Sequence, residues 1–269
     1  MTRELAARIQ GCHDAYHLSS MTASQQEPGN PYRIRIERFG TATACLSEVV
    51  RWEEVNRIVG IETVSDPQLD DLLALFRDLQ IQCHFDMEPG ILTKDLARRL
   101  MERGFYPSQC LTVLYGVPRA IATPVPPEVR IDEEGPEETA FWLEVLADVW
   151  EFKEEAEREN VRNRWKGRCF LPGYRNYIAY WEDTPAAVAS LYLYQSIGKL
   201  SLGATAPAYQ KRGCHTALIH RRLEAAAKAG CDLVMVETGV GSTSQHNMER
   251  AGLRIAYTMS TWIDGRYKR

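Results

Sequence analysis

The sequence predicts an α/β fold, an α+β arrangement with a mixed sheet, built as two tandem copies. Three observations predict it. A proline-rich break splits the chain into two parts of similar size. Each part alternates helical and strand-like segments. One short sequence recurs in both parts at the same place in the element order. A chain of 269 residues has room for one large domain or two small ones.

Residues 1–29 read as an N-terminal helical extension, with a short helix near Thr2–Gln10 and a polar break at Ser24–Pro31, SQQEPGNP. Residues 30–118 form the first copy. It holds a helix over Asp70–Leu79, a strand over Ile81–Glu88, a helix over Leu96–Arg103 and a strand over Pro107–Tyr115. Gly116–Pro136 carries five prolines in 21 residues. Proline removes backbone donors and restricts its predecessor, so this is a linker or a strand between turns.

Residues 128–269 form the second copy. Val129–Asp132 opens as a strand, and Glu137–Val149 places Phe141, Trp142, Val145, Leu146 and Val149 at helical spacing. Asn176–Glu182 and Ala187–Tyr194 read as a hairpin around Asp183-Thr184-Pro185. Leu200–Thr205 is a strand, followed by a loop and a helix that stops at Gly230. Asp232–Thr238 is a buried-type strand, Ser244–Arg250 a helix and Arg254–Trp262 a strand. The recurring stretch is Met101-Glu102-Arg103-Gly104-Phe105, matched by Met248-Glu249-Arg250-Gly252-Leu253 around one inserted residue, Ala251. The alternative is coincidence, since an arginine and glycine commonly end a helix before a strand.

Charge and composition exclude several functions. Lys plus Arg total 32 against 36 Asp plus Glu, a net charge of −4, so no polycation for nucleic acid is present. No apolar run approaches the roughly 18–20 residues that span a bilayer. The N-terminal twenty residues lack the apolar core of a secretory signal. Seven cysteines are scattered without a C-x-x-C pair, which argues against structural zinc and fits reduced thiols in a cytoplasmic protein.

The informative segment is Leu200–Leu218, LSLGATAPAYQKRGCHTAL. A strand ends at Thr205, Pro207 blocks its continuation, and Gln210-Lys211-Arg212-Gly213 runs directly into a helix. The first helical turn has unpaired N–H groups and a partial positive charge. Gly213 lets a ligand approach the backbone, and Lys211 and Arg212 add full charges. Together these make a diphosphate cradle. Arg221 and Arg222, further along the helix, either reach a terminal phosphate or form a solvated face.

This arrangement resembles motif A of the GNAT N-acetyltransferase superfamily. The matching residues are Thr205-Ala206-Pro207, then Gln210-Lys211-Arg212-Gly213-Cys214-His215 before a helix, with DLVMVET and SQHNMERAGLRIAYT downstream. The resemblance covers about residues 128–269, and 30–116 more weakly. It implies acetyl-CoA as acetyl donor, with no metal, held by Gln210, Lys211, Arg212, Gly213, Cys214, His215 and Thr216. It also implies that the fourth and fifth strands splay apart around pantetheine, which would bond the strand backbone at Leu202, Gly203, Ala204 and Thr205. Asn247 matches the family's asparagine near pantetheine. Two departures stand out. His215 occupies a position where glycine or alanine is usual, so an inward-pointing ring would alter the site. The following helix also lacks the family's tyrosine.

Glu237 at a strand end is a candidate base or a solvent-facing carboxylate. Ser244 is a candidate catalytic residue and N-cap. Tyr257 is a candidate acid for the leaving thiolate or a packing residue. Glu128–Glu159 carries 13 acidic and three basic residues, either an acidic rim for an amine or a solvated helix face. Trp142, Trp150, Phe152 and Trp165 line that cleft or fill the core. Cys214 has no placed base that would make it a nucleophile. The N-terminal copy lacks the cradle: Gly60–Leu69 has no glycine at the turn into its helix, and Asp66, Asp70 and Asp71 would repel a diphosphate.

The expected function is therefore acetyl transfer to a primary amine, of a small molecule or a peptide, by direct attack in a ternary complex. No nucleic-acid or membrane partner is expected, and homodimer formation stays open. A competing reading is a non-catalytic acyl-CoA sensor or scaffold. Gly239-Val240-Gly241 imitates a dinucleotide fingerprint, but the third glycine and a following parallel strand are missing.

Overall fold

The computed structural model describes residues 2–120, 125–169 and 171–267. The chain divides into two units, residues 1–113 with 255–269, and residues 114–254.

The first unit opens with α1 (Arg3–Gln26), capped by Thr2, whose hydroxyl accepts from Leu5 N at 3.2 Å. The helix is more than twice as long as its expected Thr2–Gln10 core. Its buried face includes Gln10, His13, His17 and Ser20, so apolar periodicity does not mark it. Two strands without a sequence expectation follow. β1 (Ile34–Phe39) turns at Gly40, with φ +61°, into antiparallel β2 (Ala42–Ser47). β2 then pairs antiparallel with β3 (Arg57–Val59). The crossover helix α2 (Asp66–Asp78) leads to β4 (His84–Met87), parallel to β3. Leu69, Leu72, Leu73 and Phe76 recur at helical spacing on α2 and pack against Ile58 and Phe85. α3 (Lys94–Glu102) and β5 (Phe105–Gly116) complete this stretch.

Part of the proline-rich break, residues 121–124, lies outside the described residues. The second unit then runs through β6 (Val129–Glu134), α4 (Thr139–Val149), α5 (Glu155–Cys169), β7 (Tyr174–Trp181), β8 (Thr184–Tyr194) and β9 (Ile197–Thr205). α6 (Cys214–Lys228), β10 (Leu233–Gly239) and α7 (Thr243–Arg250) close it. Its strand order is β10-β9-β8-β7-β6, antiparallel except for the β9–β10 pair.

Both faces of this sheet are covered. Tyr177 and Ala179 of β7 join the cluster with Leu218 and Leu223 of α6, whereas Ile178 and Tyr180 join Trp142 and Leu146 of α4. This explains the uninterrupted apolar run in β8. Trp142 is fully buried, and Trp150, Phe152 and Trp165 pack against its cluster, so these aromatics are core. Part of the acidic stretch is paired: Glu144 accepts from Arg158 and Arg162, and Asp148 from Arg158.

β11 (Arg254–Asp264) returns to the first unit, where Ser260–Ile263 pair antiparallel with Met87–His84. β11 from Ile255 onward thus packs with the first unit, although the sequence predicts it as part of the 128–269 copy. The first unit's strand order is β1-β2-β3-β4-β11-β5.

The two units repeat one order, three antiparallel strands, a crossover helix, a parallel strand and a helix. The recurring sequence marks equivalent helix ends, because Gly104 and Gly252 follow α3 and α7 with φ +86° and +93°. On this packing, Trp142→Ala should lower the unfolding free energy by about 3–5 kcal/mol. Phe141→Ala, at an exposed neighbouring position, should stay within about 0.5 kcal/mol. Urea melts of both variants measure the contrast.

Candidate active site

The site is built where β9 leaves β10. Their parallel register pairs Ile197–Lys199 with Leu233–Met235, after which β9 continues to Thr205 and β10 to Gly239. On its other edge β9 stays paired with β8 as far as Thr205, except for a register shift between Ala189 and Leu191. Two residues, Ser201 and Leu202, there face one, Ser190, which is a β-bulge. The strands therefore diverge as the resemblance implies.

Beyond β9 a short 3-10 turn at Pro207–Tyr209 redirects the chain. Lys211 and Gly213 both adopt left-handed backbone, φ +62° and +88°. At Gly213 a Cβ would also lie 3.0 Å from Pro126 Cγ, so this position requires glycine. Gly213 caps α6 without a side-chain hydrogen bond, which leaves first-turn amides for a ligand. Lys211 and Arg212 are exposed beside it, and the Arg212 guanidinium lies 5.0 Å from the Trp181 ring centre.

A cleft of about 660 Å³ opens here. It gathers Gly203 and Thr205 from β9, and Gln210, Lys211 and Gly213 from the loop. Cys214, His215 and Thr216 of α6 and Ser244 and Asn247 of α7 also line it. Leu202 and Ala204 alternate away and pack against the Trp142 cluster. Tyr209, Thr243 and Arg250 line the cleft too; nothing in the sequence assigns Tyr209 or Thr243 a role, and Arg250 stands out only in the recurring stretch.

Several expectations change. Ser242, not Ser244, caps α7, accepting from Gln245 N at 3.1 Å. Both Glu237 carboxylate oxygens accept from Lys199 Nζ, whose side chain is 2% exposed, and Glu237 is absent from the cleft lining. This carboxylate balances a buried ammonium and is not a free base. Tyr257 is half-buried on β11 in the first unit and is not among the lining residues. Burial pushes the Cys214 thiol up, so it stays protonated. Arg221 pairs with Glu133 and Glu224. Arg222 is neither solvated nor phosphate-facing: it is 1% exposed, and its Nε and Nη1 donate to carbonyls of Leu218, Ser190 and Leu202 at 3.0–3.2 Å.

His215 turns inward. Asn247 Nδ2 and His215 Nδ1 are 2.8 Å apart, and Arg250 Nη2 donates to Asn247 Oδ1. Arginine only donates, so the asparagine atom facing it is oxygen, and the atom facing His215 is the amide nitrogen. Nδ1 therefore accepts, and Nε2 carries the proton. Burial, then the Arg222 charge, hold the imidazole down to about 4, well below its ordinary 6.5.

The first unit lacks an equivalent cradle. Ser65 and Gln68 form a capping box on α2, with Gln68 N to Ser65 Oγ at 3.4 Å and Ser65 N to Gln68 Oε1 at 3.0 Å. The helix start is satisfied by its own side chains. Asp66 and Asp70 are paired with Arg99 and Arg103, so capping, more than charge repulsion, closes this end.

The second unit is thus a mixed sheet whose one parallel pair ends early beside a helix start with no side-chain cap. Residues 139–252 match the acetyltransferase (GNAT) family. Solved structures are similar over nearly the whole chain. A GCN5-related N-acetyltransferase from Kribbella flavida is 14% identical at TM-score 0.64, covering 92% of this chain and 96% of that one. A tandem GNAT protein from the clavulanic acid biosynthesis pathway is 14% identical at TM-score 0.64, covering 91% and 86%. A GCN5-related N-acetyltransferase from Sphaerobacter thermophilus is 12% identical at TM-score 0.57, covering 93% and 92%. At these identities the likeness is one of fold, and it extends to the tandem architecture. No curated protein matches the sequence. Among the described residues no cluster could hold a metal ion, and no helix is long and apolar enough to cross a membrane.

Two outcomes test this site. Glu237→Gln leaves Lys199 buried without its counter-charge and should cost about 3–5 kcal/mol in urea melts. His215 bears on acid stability. Its folded pKa lies below the unfolded 6.5, so the unfolded chain takes up the extra proton as pH falls from 6.5 towards about 4. Stability linked to the neutral ring is complete above 6.5 and is lost across that window. His215→Asn should therefore fall less steeply than wild type there; parallel curves would show a solvated ring.

Proposed function

We propose that this chain is an acetyl-CoA-dependent N-acetyltransferase with one donor site, in its second unit. The observation that carries this is the uncapped start of α6 at Gly213, flanked by Lys211 and Arg212, beside the fork of β9 and β10. The residues present fit the donor. First-turn amides at Cys214–Thr216, with Lys211 and Arg212, suit a diphosphate. The unpaired edge of β9 through Leu202, Gly203, Ala204 and Thr205 suits the amide-bearing pantetheine arm, with Gln210 and Asn247 at its borders.

When bound, acetyl-CoA supplies an activated thioester. The chain's residues fix that donor and leave the carbonyl open to a neutral primary amine of a small molecule or peptide. In such a transfer a C–N bond would form as the C–S bond breaks, and the proton lost by the amine nitrogen would end on the departing thiolate, giving an acetamide and the free thiol of CoA. Holding both reactants in line supplies much of the acceleration. Seven free thiols, six of them buried, fit a cytoplasmic setting.

One observation favours a second reading. Asn247 is engaged by His215, so the helix residue that would border pantetheine is already partnered. An acyl-CoA sensor without turnover would follow if donor binding never leads to transfer.

Calorimetric titration with acetyl-CoA tests the site. Wild type should bind, and Gly213→Glu should lose binding through bulk and charge. Because Gly213 is conformationally constrained, Lys211→Glu and Arg212→Glu serve as surface controls, each expected to weaken binding about tenfold, or about 1.4 kcal/mol. Unchanged affinity in all three would overturn the site. Thiol release across an amine panel then separates enzyme from sensor.

A further inference from the structure

Gly203 lies in the interior of β9, past the fork, where a glycine weakens a strand. Its backbone is not left-handed, so no turn demands it. Nor does crowding. A Cβ built there would meet three atoms, all at ordinary contact distance: His215 Nε2 at 3.5 Å, Arg222 Nη2 at 3.6 Å and Arg222 Nη1 at 3.9 Å. The absent methyl thus leaves a small space bordered by nitrogen donors, on the wall of the cleft.

Neither donor bordering this space has an acceptor among the described residues. Arg222 spends Nε and Nη1 on three backbone carbonyls, while Nη2 is buried with no partner. An unmade hydrogen bond on a buried charged group is costly. His215 Nε2 carries a proton because Asn247 fills Nδ1, and no acceptor for it is present among the described residues. Two of the Arg222 carbonyls, Ser190 and Leu202, flank the β9 bulge. The same guanidinium therefore fixes the strand and presents the free donor. Neither group is an acid at neutral pH; each can only donate a hydrogen bond.

We infer that His215 Nε2 and Arg222 Nη2 form a two-donor cradle at Gly203 for a carbonyl oxygen of the acyl donor. The inference rests on the acyl-CoA reading above. The cradle takes an oxygen because both of its groups donate, and it takes a small group because glycine makes the room. It suits either an amide carbonyl of the pantetheine arm or the thioester carbonyl. In the second case, the donors would strengthen as negative charge develops on that oxygen. His215, at a position where the resembling family has glycine or alanine, then gains a positive role in donor binding.

Gly203→Ala is the decisive variant. It places a methyl in the space without clash, so thermal stability should be unchanged or slightly raised. Acetyl-CoA affinity by calorimetry should fall at least tenfold, and His215→Ala should fall about three- to tenfold. Titrating CoA itself separates the carbonyls: equal losses for CoA and acetyl-CoA assign the pantetheine amide, and a loss confined to acetyl-CoA or to turnover assigns the thioester. Imidazole 15N spectra give an independent readout. They should show the Nε2–H tautomer, with its signal shifting on addition of acetyl-CoA. Wild-type affinity in Gly203→Ala with an unmoved His215 signal would overturn the cradle while leaving the donor site intact. Failure of wild type to bind acetyl-CoA would overturn both.

Discussion

Strand β9 has a partner on both edges for three residues and on one edge thereafter. The second unit's chemistry depends on that fork. A strand edge without a partner normally invites another strand; here it faces a cleft. The fork is held from two directions. Lys199 is the last β9 residue in register with β10, and its ammonium is tied to Glu237, two positions beyond the matching Met235. From the helical side, Arg222 binds the carbonyls at the bulge. Two buried cations thus hold β9 at and just beyond its last residue paired with β10, and each is expensive to leave unsatisfied.

The duplication shows how little separates a ligand-ready helix from a closed one. The crossover helices α2 and α6 follow equivalent strands and carry comparable apolar faces. They differ at the first residue. Ser65 folds its hydroxyl onto its own helix and recruits Gln68. Gly213 offers no side chain and adopts a backbone that few other residues tolerate. One copy is stabilised locally, and the other keeps its amides available.

The sequence displayed those parts whose physics is local. The helix around Leu218, its stop at Gly230 and the hairpin at Asp183 were legible from spacing and turn residues alone. The loop from Gln210 to Gly213 was legible because glycine and charge sit together at a strand-to-helix turn. What stayed hidden depends on distant partners. α1 buries histidines and a glutamine, so it lacks an apolar stripe. Glu237 looks like a free strand-end acid until Lys199, 38 positions earlier, is placed beside it. Arg222 looks like a surface residue because its partners are backbone carbonyls, which no sequence pattern records. The inward turn of His215 depends on Asn247, on another helix.

The placement of β11 has a consequence for how the molecule is made. Chains emerge from the ribosome N-terminus first, and domains generally fold as units in that order. Here the first unit's sheet has β11 between β4 and β5. That strand is synthesised only after every element of the second unit. The second copy can therefore assemble its own five strands while the first still waits for the strand that lies between β4 and β5. Until then β4 presents an open edge, Trp262 is missing from the core around Phe85, and the nascent chain carries an unfinished domain ahead of a finished one.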